Sequence, residues 1–406
     1  MFCAYIGVGS RHEKREEQGI SHFLEHMLFQ GAGRYRDAAA LTASAESLGG
    51  VINALTLPEH TCVYLSAHRR YWGTALSILA QMVVSPSLRD AQIGRERRVI
   101  LQEMRQSLDD HGRNFNIDDL AYNLLWQEPS AREATPVGDE RRISRIDRPA
   151  LRSHHRRHYT AGRVVLAVSG EFEWGLVLRS AGRLFSGLPS GEGERPAKPP
   201  VVPQTSARSV WRTARDWPTV SLKLCHRAFS ARDPRYAATL LLDESLGGGS
   251  SSRLFLRARE ERGLVYDIAS EVVSFSDVGS LDISTSVEAG NLVDTAREIL
   301  SELRRVRRTG LGEREFREVR QRLVCQTEMM EDDPYALADW YARQVLSGEP
   351  PLERPADLAR RIRRVTRAQV RAIAREVLSP ERRGLAVVGP FTRTQRKRVE
   401  GMLRRG

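Results

Sequence analysis

The two halves of this chain repeat one order of predicted secondary-structure elements, and this repeat constrains the fold more than any other feature. Each half begins with an apolar strand, at 2–8 and at 220–225. An apolar helix follows, at 20–29 and at 236–246, and a glycine after it is expected to end it. A second helix, a β-rich stretch, further helices and a final apolar strand complete each half. The shared order predicts an α+β fold of two duplicated domains, each a mostly antiparallel β-sheet covered by helices.

A segment rich in proline, glycine and charged residues separates the halves. Its composition, from 189 to 203, is typical of an interdomain linker. The length of 406 residues also favours more than one domain. We therefore predict an N-terminal domain at 1–190, a linker at 191–206 and a C-terminal domain at 207–406.

Composition and charge limit the classes of protein to which the chain can belong. Apolar residues make up 41% and charged residues 28%, which is typical of a globular protein, and no run of roughly 18 residues is apolar enough to span a membrane. The net charge of +12 comes from arginines that are spread along the chain and mixed with acidic residues. Neither a nucleic-acid partner nor a membrane is therefore expected, whereas an acid-rich substrate or partner remains possible.

Cysteine usage and the N-terminus bear on the compartment. No C-x-x-C pair occurs among the cysteines, so we expect reduced structural thiols rather than metal ligands or disulfides at Cys3, Cys62, Cys225 and Cys325. The first residues lack the basic leader and long apolar run of a signal peptide. These features predict a cytoplasmic protein.

The pattern H-x-x-E-H at 22–26 carries the clearest chemistry. The surrounding run is apolar with polar groups spaced by three and four, which predicts a helix, and His22 and His26 then share one face with Glu25 beside them. Neutral imidazoles suit zinc, and a neighbouring carboxylate can take a proton from a water that the metal activates. The alternative is a polar stripe on an otherwise buried helix.

A catalytic zinc site needs a third protein ligand, and a second predicted helix offers candidates. Glu96 and Glu103 lie seven residues apart in the stretch 95–103, so they share a face of that helix. Taken alone, a helix so rich in glutamate and arginine is more often a solvated surface.

These motifs resemble those of the pitrilysin/insulinase-type metallopeptidases, the inverzincins that include the two-domain subunits of mitochondrial processing peptidase and their bacterial relatives. In that family, the third ligand is a glutamate 77 residues after the second histidine, and Glu103 stands 77 residues after His26. The resemblance implies that Glu103 completes the zinc site and that Glu96 supports it. Relatives usually have one or two strands before the first strand seen here.

Two further segments extend the resemblance. The stretch 49–56 is similar to the family's G-G-x-x-N-A-x-T edge strand, which implies that Asn53 and Ala54 bind an extended peptide. By residue pattern alone, it predicts only a turn and a strand. The stretch 252–266 is similar to S-R-L-F…R-E-x-x-G-L-x-Y, which implies that Arg259 and Tyr266 hold substrate and stabilise the oxyanion. A surface arginine and a packed tyrosine are the alternative there.

The resemblance implies a zinc-dependent endopeptidase that cleaves peptides or unstructured polypeptide segments. Glu25 would be the general base, and each chain would bind one Zn²⁺. The C-terminal half has no H-x-x-E-H and carries Cys325 at the counterpart of Glu103, so it should bind no metal. A homodimer is expected, with Arg259 and Tyr266 acting at the partner's zinc. A catalytically silent scaffold or partner subunit of a peptidase-like complex is the alternative function.

Overall fold

The computed structural model describes residues 1–108, 113–126, 140–191, 203–348 and 352–405. Nine strands occur there, at Phe2–Ile6 (β1), Ile52–Thr56 (β2), Thr61–Leu65 (β3), Val164–Val168 (β4), Arg208–Thr213 (β5), Val220–Ala228 (β6), Ile268–Ser274 (β7), Gly279–Val287 (β8) and Arg383–Gly389 (β9). Fifteen α-helices lie in the same described ranges, at Ile20–Leu28 (α1), Ala38–Glu46 (α2), Trp72–Val84 (α3), Asp90–Gln106 (α4), Ile117–Trp126 (α5), Glu140–Arg145 (α6), Arg148–His158 (α7), Trp174–Leu184 (α8), Tyr236–Gly247 (α9), Leu292–Thr309 (α10), Glu313–Met329 (α11), Pro334–Ser347 (α12), Pro355–Arg364 (α13), Arg367–Val377 (α14) and Arg393–Arg404 (α15).

The chain forms two compact units. The first contains Met1–Gln106, Pro129–Pro199 and Met330–Arg354, and the second contains Ser107–Glu128, Pro200–Met329 and Pro355–Gly406. The sequence pattern predicts that each domain is formed by its own half of the chain, from 1 to 190 and from 207 to 406. In the structure, 107–128 and 330–354 are instead grouped with the opposite unit. Most of the predicted linker, 192–202, lies outside the described residues.

The first unit is built on a four-stranded antiparallel sheet in the order β2-β3-β1-β4. Side chains alternate along β1, so that Phe2, Ala4 and Ile6 face the main core formed with the helices. Cys3 and Tyr5 point to the opposite face, where they pack against Ala338 and Ala342 of α12. A helix from the second half of the sequence therefore covers the second apolar face of this sheet.

The second unit repeats this topology and adds one strand. Its sheet has the order β5-β9-β6-β8-β7, in which β5 runs parallel to β9 and the other neighbours are antiparallel. The segment β7-β8-β6-β9 matches β2-β3-β1-β4 strand for strand. Helix α5 covers the face that carries Cys225, Ala386 and Val388. The predicted fold of two duplicated α+β sheets with helices is thus confirmed.

Two predicted details differ from the structure. Gly247 is the last residue of α9, and a Cβ there would lie 2.2 Å from the backbone nitrogen of Ser270, so this glycine permits close packing of helix on strand. Strand β4, the final apolar strand of the first half, is only half-buried although its composition favours burial, because it forms the edge of the first sheet, whereas its counterpart β9 is covered by β5. Within the described residues, no helix has the length and apolarity to cross a membrane.

A buried histidine in the second sheet should make the stability of the fold depend on pH. His226 of β6 lies opposite Arg383 of β9, is fully buried, and has no hydrogen-bond partner for either ring nitrogen among the described residues. Burial, with a smaller contribution from Arg383, lowers the pKa of His226 to about 3. An unfolded chain protonates this histidine below about pH 6.5. His226 therefore stabilises the fold above that pH and loses its contribution as the pH falls towards 3.

We expect His226→Leu to weaken the pH dependence of unfolding between pH 6 and pH 4. The free energy of unfolding of the unmodified chain should fall more steeply than that of the variant, by about 1.4 kcal/mol for each pH unit. Urea titrations at a series of pH values measure this difference. Leu224→Ala changes a buried residue of the same strand that has no titratable group, and it serves as the control because it should lower the free energy of unfolding without changing its pH dependence. Equal slopes for His226→Leu and the unmodified chain would contradict the assignment.

Candidate active site

Helix α1 is held in place by its apolar side and by a cap on its N-terminus. Phe23, Leu24 and Met27 are fully buried in the core, which fixes the rotation of the helix. At its start, the buried carboxylate of Glu13 accepts hydrogen bonds from the backbone N–H groups of Gly19 and Ser21, each at 2.7 Å. Burial raises the pKa of Glu13 to about 7, although both hydrogen bonds oppose the rise.

Three side chains from α1 and α4 converge on one point. The Nε2 atom of His26 lies 3.3 Å from Nε2 of His22 and 3.5 Å from Oε2 of Glu103. One ligand atom from each of the three residues lies within 4.8 Å of the other two. In the part of the chain that the structure describes, this is the one group of histidine, cysteine and acidic side chains with the spacing of a metal site.

The donor set and its spacing fit zinc. A tetrahedral zinc ion with ligand bonds of about 2.0–2.1 Å holds neighbouring ligand atoms roughly 3.3 Å apart. The two separations from His26 Nε2, 3.3 and 3.5 Å, are close to that value. Two imidazoles and one carboxylate leave a fourth position for water, which is the arrangement of catalytic rather than structural zinc sites.

Glu96 orients one of the two histidines. Its Oε2 lies 3.1 Å from Nδ1 of His26, so donation of the Nδ1 proton to this carboxylate leaves the lone pair of Nε2 directed at His22 and Glu103. Burial lowers the pKa of His26, but Glu96, Glu103 and Glu25 outweigh it and raise the pKa overall. At His22, burial and the neighbouring His26 lower the pKa to about 4, which keeps that imidazole neutral at neutral pH.

Glu25 lies beside the three converging side chains and is held by a residue of the neighbouring strand. The hydroxyl of Thr56, at the end of β2, donates to Oε2 of Glu25 at 2.5 Å. Burial raises the pKa of Glu25, while this hydrogen bond and the nearby His26 act against the rise. A carboxylate in such a place can accept and return a proton, which is the task of a general base.

Asn53 and Ala54 lie on β2, which is the open edge of the first sheet. Backbone hydrogen bonds join Ser66 to Val51 and Leu57 to His60, and the alternation of an antiparallel ladder then directs the backbone groups of Ile52, Ala54 and Thr56 away from β3. The N–H of Ala54 donates to the side-chain oxygen of Asn53 at 2.9 Å. This edge can therefore accept an added strand once the Asn53 amide moves aside.

Two glycines set the path of the chain into β2. Gly49 has φ of +71°, a conformation that L side chains rarely adopt. At Gly50, a Cβ would lie 1.8 Å from the carbonyl oxygen of Ser66, so only glycine permits this approach of two backbones. The predicted turn before the strand is thus present, and it positions the edge beside α1.

Arg259 and Tyr266 come together in the second unit. Arg259 belongs to a π-helical turn, Phe255–Glu261, and its guanidinium lies 4.7 Å from the ring centroid of Phe255 and 5.1 Å from that of Tyr266. Tyr266 is 84% exposed, so its hydroxyl is available to a ligand. The predicted alternative of a packed tyrosine is therefore wrong.

Ion pairs fix the start of the π-helical turn. Arg253 donates to Glu302 at 2.8 Å and forms a two-pronged pair with Glu315, and all three side chains are at least partly buried. The turn that carries Arg259 is in this way attached to α10 and α11.

Sequence reasoning missed two residues that shape the site. Glu13 stands in a run of charged residues, where nothing distinguishes a buried capping carboxylate from a solvated one. Thr56 closes the G-G-x-x-N-A-x-T pattern, but its contact with Glu25 depends on the packing of β2 against α1. Period-2 alternation could have indicated it, since Ile52 and Ala54 face the core and Thr56 follows on the same side.

Two duplicated α+β units, with an H-x-x-E-H helix closed by a glutamate from a second helix, define the class of two-domain inverzincin peptidases. Comparison with known proteins gives the family. Residues 3–133 match the insulinase family, peptidase family M16, and residues 145–323 match the peptidase M16 inactive domain. The chain belongs to this family.

Bacterial relatives extend over nearly the whole chain. A protein from Streptomyces coelicolor, described as an uncharacterized zinc protease, is 29% identical over 405 residues, which cover 98% of this chain and 86% of the relative. One from Mycobacterium bovis, with the same description, is 30% identical over 399 residues, covering 95% and 87%.

Solved structures share the fold. A protease from Helicobacter pylori has a TM-score of 0.86 at 18% identity and covers 96% of this chain and 93% of its own. A peptidase M16 inactive domain from Pseudomonas fluorescens has a TM-score of 0.81 at 22% identity, with 96% and 92% covered. At these identities the likeness shows the fold alone.

We expect Glu96→Gln to weaken zinc binding by about ten- to a hundredfold, because the neutral amide no longer enforces the Nδ1-protonated form of His26. Competition with a fluorescent zinc chelator measures the affinity. Glu46→Gln makes the same chemical change at an exposed residue of α2 and should leave the affinity unchanged. An affinity unaffected by Glu96→Gln would show that this contact does not support the metal.

Proposed function

We propose that this protein is a zinc-dependent endopeptidase that cleaves peptides or unstructured polypeptide segments. The observation that carries the proposal is the convergence of His22, His26 and Glu103 on one point, with Glu25 beside it. Its relatives are named zinc proteases, which supports the same chemistry. The cytoplasmic location stays a prediction.

Each residue has a distinct task in the proposed reaction. His22, His26 and Glu103 would hold the zinc, which when bound would supply Lewis-acid polarisation of the scissile carbonyl and lower the pKa of a water. Glu25 takes the proton of the attacking water and passes it to the leaving amine. Glu96 keeps His26 in the form that binds the metal.

The substrate would be laid along β2 as an added strand. The outward-directed N–H and C=O groups of Ala54 would pair with the peptide backbone, and Asn53 would release the Ala54 N–H and bind the peptide through its amide. Backbone pairing does not read side chains, so it suits many peptide sequences in extended form. Peptides and unstructured segments can take this extended form freely, whereas most strands of a folded protein are already paired within a sheet, so the proposed substrates are peptides and unstructured segments.

Arg259 and Tyr266 would supply donors to the negative charge that develops on the carbonyl oxygen. We propose that they do so in a homodimer, at the zinc site of the partner chain. A symmetric dimer supplies both sets of residues at two equivalent sites. Neither nucleic acid nor a membrane is part of this proposal.

A catalytically silent scaffold is the second candidate function. The match of residues 145–323 to a domain described as inactive favours it, but His22, His26 and Glu103 all lie outside this range. A scaffold needs no general base beside a metal site. The arrangement around Glu25 therefore favours the enzyme.

A peptide library incubated with the protein tests the proposal. We expect cleavage that stops when a chelator removes the metal and returns when Zn²⁺ is added back. Glu25→Gln should lower kcat by about 10²–10⁴-fold while the bound zinc, measured by mass spectrometry, stays at one ion per chain. Zinc-loaded protein that cleaves no peptide would support the scaffold, and chelator-resistant cleavage would contradict zinc catalysis. Glu46→Gln again serves as the control.

Subunit mixing tests the homodimer. A Glu25→Gln chain and an Arg259→Ala/Tyr266→Phe chain should each be inactive, and their mixture should regain up to about a quarter of the activity per total site, since random exchange puts half of the chains in mixed dimers and each mixed dimer has one intact site. Activity is measured after subunit exchange. A mixture as inactive as its components would reject action in trans.

A further inference from the structure

Thr56 has two contacts that matter for the proposed reaction. Its backbone is part of the edge strand on which the peptide would bind, and its hydroxyl contacts the proposed general base, Glu25. It is the last residue of β2, directly opposite Thr61 of β3. Its backbone groups face the open edge together with those of Ala54, while its side chain lies on the core face beside α1. The 2.5 Å hydrogen bond to Oε2 of Glu25 is thus made by a residue that an added strand would also contact.

The hydroxyl of Thr56 restricts a flexible side chain. A glutamate has several rotatable bonds, and a base must present one oxygen to water at hydrogen-bond distance. Thr56 occupies Oε2, and in the described part of the chain no hydrogen bond is made to Oε1 of Glu25. One oxygen is therefore anchored and the other is free to take a proton.

We propose that Thr56 is a positioning residue that couples the bound peptide to the orientation of Glu25. This inference rests on the proposed peptidase function and adds the link between its two parts. When a peptide pairs with β2 at Thr56, it holds the end of the strand and, through the hydroxyl, the carboxylate. An extended peptide that reaches Thr56 is cleaved faster than one that pairs only with the residues before it.

Isosteric substitution isolates the hydroxyl. Thr56→Val keeps the shape of the side chain and removes the donor, whereas Thr56→Ser keeps the donor. For a peptide that the unmodified chain cleaves, we expect Thr56→Val to lower kcat by about ten- to a hundredfold, which corresponds to the free energy of a hydrogen bond to a charged group. The values of KM and the zinc content should change little. Thr56→Ser should restore most of kcat.

Thr61→Val is the matched control. Thr61 is the cross-strand neighbour of Thr56, and its hydroxyl donates to the backbone carbonyl of Val8 at 3.0 Å rather than to the base. Its removal should lower stability without lowering kcat of the folded protein. If Thr56→Val behaves like Thr61→Val, or if Thr56→Ser is as impaired as Thr56→Val, the positioning role is wrong.

An N-methyl scan of the same peptide tests the coupling. Methylation of the peptide nitrogen that pairs with Thr56 should lower kcat in the unmodified chain. In Thr56→Val it should lower kcat little further, because the hydrogen bond from residue 56 to Glu25 is already missing. Additive effects at every position would overturn the coupling. A readout without catalysis is the free energy of unfolding of metal-free Thr56→Val, Glu25→Gln and the double variant, in which non-additivity reports the hydrogen bond itself.

The outcomes separate the two proposals. If the unmodified, zinc-loaded chain cleaves no peptide, the peptidase function fails and the role of Thr56 in catalysis fails with it. If the chain cleaves peptides and Thr56→Val is fully active, only the positioning role fails.

Discussion

Each sheet of this protein has two apolar faces, and the helices of its own half of the sequence cover only one of them. In the first unit, Cys3, Tyr5 and Cys62 lie on the face left over, and in the second unit Cys225, Ala386 and Val388 do. Exposure of such faces would forfeit the burial energy of their apolar side chains. The two halves exchange a helix, so that α12 covers the free face of the first sheet and α5 covers that of the second. Both units depend on this exchange for a complete core.

The zinc-directed residues come from α1 and α4, which pack on the other face of the first sheet. Both helices pack on the main core of the first unit, and their apolar residues fix their rotation. The half-buried polar face left on α1 then carries His22, Glu25 and His26, opposite Glu96 and Glu103 of α4. The capping carboxylate of Glu13 adds a fixed start to α1, so the ligand atoms of the histidines need little rearrangement to bind a metal.

The sequence allowed prediction of what is periodic or local. The apolar run at 20–29 predicts α1, which spans Ile20–Leu28, and the strands and long helices of both halves also lie where their patterns place them. The exchange of α5 and α12 could not be predicted, because a helix pattern shows which face is apolar but not which sheet that face will cover. The prediction that Glu103 lies close to His26 depends on the spacing found in the family. The residues alone do not give it, since the order of α1 and α4 in the chain does not set their distance in space.

The duplication gives the two units equivalent places that carry different chemistry. In the first unit, the chain passes from α2 through Gly49 and Gly50 into the edge strand β2, where Asn53, Ala54 and Thr56 lie. In the second, it passes from the π-helical turn through Gly263, with φ of +56°, and Tyr266 into the edge strand β7. Both candidate substrate-binding groups therefore occupy the same segment of the repeated fold.

That segment suits binding in both units because its backbone leads into an open sheet edge, and the strand paired with that edge, β3 or β8, is largely buried. The metal-binding motif is harder to repeat in the second unit, because it needs a polar face on the first apolar helix of the unit. In α9 the corresponding helix is buried almost all round, and no histidine lies on it. Of these two corresponding helices, α1 therefore leaves a half-buried polar face that carries His22, Glu25 and His26, whereas the deep burial of α9 leaves no comparable face.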